Sequence, residues 1–201
     1  MAKKRIISPT VVRRLEEGPP PGQKFIPAPI VYDVVEEVPD WDLSAYRFKV
    51  WGLVERPLEL TYEELLSSFE PVELVADFHC VTRWSVPELV WEGIQTRKVM
   101  ERVKPKVKEG WVLVHCLEGY TTSLPLRYLF EEDSLLAYKM MGRPLPKRHG
   151  FPLRLVVPQL YAWKSAKYVW GLEILDHYED GFWERRGYHP VGDPWKEERF
   201  K

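Results

Sequence analysis

The chain has 201 residues, 45% of them apolar, which is enough for one sizeable core without staples. Its 29 basic and 30 acidic residues leave a formal charge of -1, so nothing points toward nucleic acid or an anionic membrane, and any anion site must be local. Only two cysteines, Cys80 and Cys116, argue against a disulfide framework. No run reaches the roughly 20 apolar residues of a membrane span, and the basic amino terminus precedes no apolar run of signal-peptide length. These features predict a soluble, cytoplasmic protein.

Residues 1–44 mix charge with Pro19-Pro20-Pro21-Gly22 and Pro27-Ala28-Pro29, a composition that predicts an extended arm lying on the domain. Tyr46 to Val54 begins with period-two alternation and predicts a strand. Thr61, with Glu64 three residues on, is a capping-box helix start. Val72 to Phe78 predicts a largely buried strand that delivers His79-Cys80 into a loop, and Trp91-Glu92-Gly93-Ile94 leads toward a short helix near Thr96 to Val103. Trp111 to Cys116 predicts another strand, Gly119 to Pro125 a loop opening into the apolar stretch Leu126 to Phe130, and Asp133 to Met140 a further strand. The last strands are expected at Leu153 to Val157 and Tyr168 to Leu175. From Asp176 the pattern dissolves into aromatic and charged residues, predicting a tail over 177–201 packed on the domain. Short elements punctuated by Pro and Gly predict an α+β fold, mixed and β-rich.

Three constellations carry chemistry. A thiol at Cys80 beside His79, Arg83 and Trp84 suits the edge of a metal centre. The pairs His79-Cys80 and His115-Cys116 have the donor types of a zinc site, but adjacent residues on a strand point to opposite faces, which argues against one shared ion; two partly buried thiols are the plainer reading. Lys147-Arg148-His149, Arg154 and Lys164 to Lys167 gather cations and a hydroxyl able to enclose one phosphate-like group, although loop cations are usually solvated. Tyr120, in a loop beside Gly119, either packs its ring or donates its phenol to a substrate.

Together these segments resemble the molybdopterin-binding domain of the sulfite oxidase family, which includes bacterial sulfoxide-reducing enzymes and assimilatory nitrate reductases. The resemblance rests on the order and spacing of Gly52 to Pro57, Cys80 to Ser85, Trp91 to Gly93, Gly119 to Pro125, Leu135 to Tyr138, Gly142 to Pro146, His149 to Pro158 and Lys164 to Lys167, within residues 45–176. It implies a sulfite-oxidase-like molybdopterin-binding fold and an oxidoreductase that transfers oxygen atoms by two electrons to or from a small molecule. It implies Cys80 as the ligand to molybdenum, or to tungsten in its place, with Tyr120 at the substrate face and Arg83 lining the pocket. His149, Arg154, Ser165, Ala166 and Lys167 are implied to hold the pterin and its phosphate, with Lys164 adding charge nearby and Cys116 near a cofactor-contact position.

The chain also departs from the family's patterns. The arginine-asparagine-histidine run of animal and plant sulfite oxidases is replaced near Asp33-Val34-Val35, and the Asn-rich upstream loop of the sulfoxide-reducing enzymes is missing. Neither a heme domain nor an immunoglobulin-like domain accompanies residues 45–176, so a separate electron-transfer partner is expected. These departures keep open a second reading, a non-catalytic molybdopterin-binding or scaffold subunit of a redox complex.

Overall fold

The computed structural model describes residues 3–34, 37–38 and 40–201. Two sheets form the body. One runs β1 (Lys4–Ile7), β5 (Val72–His79), β6 (Trp84–Gln95), β9 (Leu135–Met140) and β10 (Arg143–Pro144), with β2 (Lys24–Phe25) joined to β6 and β11 (Arg154–Val156) to β9. The other runs β4 (Leu58–Thr61), β3 (Arg47–Gly52), β12 (Val169–Leu175), β7 (Trp111–Cys116) and β8 (Thr121–Pro125). The helices are α1 (Pro9–Glu17), α2 (Tyr62–Ser68) and α3 (Thr96–Val103). No helix among the described residues is long and apolar enough to cross a membrane.

The centre of the first sheet is buried on both faces, while its edge strands β1, β2 and β10 are largely exposed. Leu135 and Ala137 of β9 face one apolar cluster with Leu74, Ala76 and Trp91, while Leu136 faces the larger cluster shared with Phe48, Val50 and Leu172 of the second sheet. The β5–β6 hairpin closes tightly. Cys80 N donates to Trp84 O at 2.8 Å, Arg83 N donates to Cys80 O at 3.1 Å, and Arg83 takes a left-handed φ of 75°. The end of a buried strand therefore holds Cys80 in a short turn rather than a mobile loop.

Several expectations are corrected here. The first 44 residues are not simply extended. Ser8 caps α1, Pro9 fills a first-turn position where its missing N–H costs nothing, and Gly18 at φ 84° ends the helix; the neighbouring prolines obscured this punctuation. Trp84–Gln95 is one 12-residue strand, hidden in the sequence by Pro87 and Glu88. The β5–β6 register shifts between Ala76 and Phe78, so Pro87 and Glu88 sit in a bulge that needs no regular ladder bond from proline, and Glu88 N donates instead to Asp77. Thr121–Pro125, expected as loop, is a strand paired with β7 after a turn at Gly119, φ 84°. The capping box at Thr61 and Glu64 is present on both hydrogen bonds.

Beyond Leu175 the chain has short 3-10 turns at Glu184–Arg186 and Pro194–Lys196 and an isolated bridge between Tyr188 and Phe200, yet it is firmly attached. Glu184 is fully buried and accepts from Lys164 Nζ at 2.5 Å, Thr122 Oγ1 at 2.6 Å and Trp163 Nε1 at 3.2 Å. Lys164 is fully buried too, and burial pushes its ammonium down to about 8 against the opposing pull of Glu184.

Two substitutions test this frame. A Cβ on Gly93 would lie 2.3 Å from Leu136 O and 2.7 Å from Ala137 Cα, backbone atoms that cannot swing aside. Gly93→Ala is expected to cost about 2–3 kcal/mol, read as a lowered urea midpoint. Lys164→Met strands the Glu184 carboxylate and is expected to cost roughly 3–5 kcal/mol, whereas Lys164→Met with Glu184→Met recovers part of the loss; equal stability of the single and double variants would refute the pairing.

Candidate active site

Between the Cys80 turn, the segment Pro29–Val34, the loop around His149 and the tail lies a cavity of about 360 Å³. Each wall comes from a different part of the chain. The Cys80 turn gives the thiol, with Val81, Thr82 and Trp84 around it. The loop between β10 and β11 gives Arg148 and His149, and β11 itself gives Arg154. The segment between β11 and β12 gives Ser165, Ala166, Lys167 and Tyr168, and the tail gives Trp183 and Tyr188.

Cys80 is 7% exposed, and its sulfur accepts from Thr82 Oγ1 at 3.2 Å. Burial raises its thiol above the ordinary value, an effect that Thr82 and the charge of Arg199 partly offset. The cations are anchored. Arg154 is buried, donates from Nε to Ser165 O at 3.2 Å and from Nη1 to His149 O at 3.0 Å, and lies 5.0 Å from the Phe78 ring centre. Burial pushes it down to about 10, which leaves it charged at neutral pH. Burial, followed by the charges of Arg154, Lys167 and Arg148, pushes His149 down, so this imidazole offers a neutral face. Lys167 Nζ donates to Tyr32 O at 2.9 Å, to Arg148 O at 3.3 Å and to the Asp33 carboxylate, which Arg148 also grips at 2.8 and 3.0 Å. Burial opposes ionisation of Asp33, but these two cations hold it below the usual carboxylate value.

The structure brings Cys80, His149, Arg154, Ser165, Ala166 and Lys167 together on this one cavity. It places four other expected residues differently. Arg83 is exposed and off the cavity wall, with a left-handed backbone and its guanidinium beside Gly22. Cys116 lies in the core with Val114 and Leu124, off the wall, and burial pushes its thiol far up. Lys164 points away from the cavity, its ammonium donating to Glu184, to Ser123 O and to Pro190 O. Tyr120 touches the cavity, but its hydroxyl donates to Trp163 O at 2.7 Å, so its phenol is committed to the scaffold. The two His-Cys pairs sit on different sheets, with His115 bonded to Glu173 and His79 bonded through Nδ1 to Ser85, and the described residues hold no cluster of three metal-ligating side chains. Within the stretch Asp33-Val34-Val35, Val35 lies outside the described residues.

Sequence reading missed three groups. Tyr188 lines the cavity with its ring packed 5.0 Å from Trp183 and 5.1 Å from Trp163, and its hydroxyl makes no hydrogen bond among the described residues. After burial, the charge of Cys80 contributes to raising its phenol, which places the two side chains in one field. Glu118 lines the cavity as a carboxyl that burial pushes up to about 7. Asp33 is the counter-ion already described. Nothing at the sequence level signals Tyr188, because it stands in a stretch with no periodicity.

The donor set fits a pterin with a metal. Trp84, Glu118 and Tyr168 line the cavity, and their Nε1, Oε2 and Oη are buried polar atoms without a partner among the described residues, which native proteins rarely leave unpaired. A ligand carrying both donors and acceptors, an anionic end for Arg154 and Lys167 and a soft metal for Cys80 satisfies that inventory.

Comparison with known proteins agrees. The family described as "oxidoreductase molybdopterin binding domain" matches residues 35–183. The uncharacterized oxidoreductase YuiH of Bacillus subtilis is 45% identical over 159 residues, 79% of this chain and 80% of that one. The protein-methionine-sulfoxide reductase catalytic subunit MsrP of Xanthomonas axonopodis is 30% identical over 70% of this chain, which spans 48% of it. In fold, the sulfane dehydrogenase SoxCD of Paracoccus pantotrophus superposes with a TM-score of 0.63 at 24% identity, over 75% of this chain and 42% of that one. The chain is thus a molybdopterin-binding oxidoreductase domain of the sulfite oxidase family.

Proposed function

We propose that this domain binds molybdopterin with its metal on the Cys80 sulfur and carries out two-electron oxygen-atom transfer on a small substrate, sulfoxide-like rather than sulfite-like. The observation that carries the reading is a single cavity joining one buried thiol, an anchored set of cations and a phenol with no partner among the described residues. When bound, the cofactor supplies the two-electron chemistry and the site of oxygen exchange. Molybdenum is the proposed metal, and the proposal extends to tungsten because a soft thiolate serves both.

In this reading Arg154, His149, Ser165, Ala166 and Lys167 hold the pterin and its phosphate, Arg154 through its fixed guanidinium and Lys167 through its ammonium. Tyr188 presents its phenol to the substrate oxygen, its ring fixed by two indoles. Glu118, pushed up to about 7, takes up or releases a proton at neutral pH. The wall of Trp163, Trp183 and Tyr188 favours a neutral, partly apolar substrate. In this reading Arg154 and Lys167 are taken up by the phosphate of the cofactor and Arg148 by Asp33, which disfavours a doubly charged substrate anion. The name of MsrP, a methionine-sulfoxide reductase, supports the same substrate class. Electrons come from a separate partner, as the word subunit in that name suggests. The proposed setting is cytoplasmic, in keeping with two unpaired cysteines.

The test uses protein expressed in a host that makes the cofactor, assayed for metal, pterin and reduction of a panel of sulfoxides, N-oxides and oxyanions. Cys80→Ser is expected to abolish turnover and alter the metal spectrum while the fold persists; a normally active variant would end the ligand assignment. Tyr188→Phe is expected to lower kcat/KM by roughly tenfold to a hundredfold, the worth of one hydrogen bond to a group gaining charge. Tyr120→Phe should act mainly on thermal stability, and the reverse ranking would return the substrate phenol to Tyr120.

A further inference from the structure

The turn that presents Cys80 is held from outside by both ends of the chain. Gln23, 9% exposed, donates from Nε2 to Cys80 O at 3.1 Å. Arg199, 7% exposed, donates from Nη1 to Val81 O at 2.5 Å and from Nη2 to Pro21 O at 3.3 Å, and its guanidinium lies 4.9 Å from the Tyr161 ring centre. One planar fork thus ties the residue after Cys80 to the residue two before Gln23, while an aromatic face fixes its plane. Gly22 makes the approach possible: at φ 70° it brings no side chain into the space where the heads of Arg83, Glu197 and Arg199 converge.

Arg199 is itself registered against the cavity. Tyr188 and Phe200 form an antiparallel bridge, His189 N donates to Arg199 O at 3.1 Å, and the Tyr188 and Phe200 rings meet edge to face at 5.3 Å. The same short ladder therefore carries Tyr188 on the cavity wall and Arg199 on the Cys80 turn. Gln23, Tyr188 and Arg199 all lie outside residues 35–183, the part matched by the family.

We propose that Arg199 is a positioning residue for the metal-ligating thiol, fixing the Cys80 turn through Val81 and setting it in register with Tyr188. The inference rests on the assignment of Cys80 under the proposed function. It requires no contact between Arg199 and substrate or cofactor; the effect passes through the backbone of residues 80–81. A misplacement on the order of 1 Å at a reacting centre costs about a hundredfold, so a clamp of this kind acts on kcat while leaving the substrate-binding wall in place.

The test compares Arg199→Met and Arg199→Lys with wild type as metal-loaded, full-length protein. Arg199→Met is expected to shift or broaden the thiolate-to-metal absorption band, to lower kcat by roughly tenfold to a hundredfold with KM within about twofold, and to speed amide exchange at residues 80–84. Arg199→Lys, which reaches Val81 O but loses the fork, is expected to restore part of the band and of kcat. Gln23→Leu, acting on Cys80 O, provides a second perturbation of the same turn should Arg199→Met fail to fold, with the same direction expected in band and exchange. An unchanged band with unchanged exchange overturns the proposal, as does a loss of kcat accounted for entirely by lost metal. A wild-type protein that binds metal but turns over no substrate defeats the functional reading alone, because band and exchange still report on the clamp.

Discussion

A lysine ammonium with no exposure to solvent is tolerable only where its three protons are met, and for Lys164 the carboxylate of Glu184 and the carbonyls of Ser123 and Pro190 together supply that condition. Lys164 lies one residue before Ser165, and Glu184 lies one residue after Trp183, so both partners adjoin the cavity without entering it. The pair thereby fixes the separation of two walls: the segment Ser165 to Lys167 on one side and the aromatic tail on the other. Thr122 and Trp163 also bind Glu184, drawing β8 into the same knot. A tail with almost no regular structure is tied to the domain at this knot.

The cavity balances charge locally rather than across the molecule. Arg148, Arg154 and Lys167 converge on it, yet the chain as a whole is nearly neutral. Asp33 is shared by Arg148 and Lys167, and the carbonyls of His149 and Ser165 hold Arg154. Such anchoring keeps the cations in place without a ligand and lowers the reorganisation needed when an anion arrives. The thiol is treated in the opposite way. Burial raises Cys80, and the Thr82 hydroxyl, the backbone N–H groups of Thr82 and Val81 and the charge of Arg199 offset this only in part, so a bound metal would further stabilise a thiolate at that position.

Legibility in the sequence followed local pattern. The strand that delivers Cys80 and the capping box at Thr61 were readable because hydrophobic run and cap signal agreed at short range. His149, Arg154 and Ser165 to Lys167 were readable as one group, and they line one cavity. Failures arose where tertiary context decides. Pro87 looks like a breaker until its bulge opposite Asp77 is known. Arg83 looks like a pocket residue until its guanidinium is found beside Gly22. Lys164 looks like one more cation in the group Lys164 to Lys167, because spacing cannot reveal that its partner stands 20 residues downstream. Tyr120 and Tyr188 are alike as residues, and only the hydroxyl of Tyr120 finds a carbonyl.

The division between what the family matches and what lies beyond it is physical as well as formal. Residues 35–183 contain the thiol and the cations, the parts that meet the molybdopterin in the proposed reading. Glu184, Tyr188 and Arg199 follow that span, and Gln23 precedes it, yet each bears on one of those parts: Glu184 through Lys164, Tyr188 through the cavity wall, Arg199 and Gln23 through the Cys80 turn. Short flanking segments can do this because they are tied by charge and by single backbone bridges rather than by extended pairing. In the proposed reading the core of the domain holds the cofactor, while its flanks hold the turn of the thiol and add Tyr188 to the cavity wall.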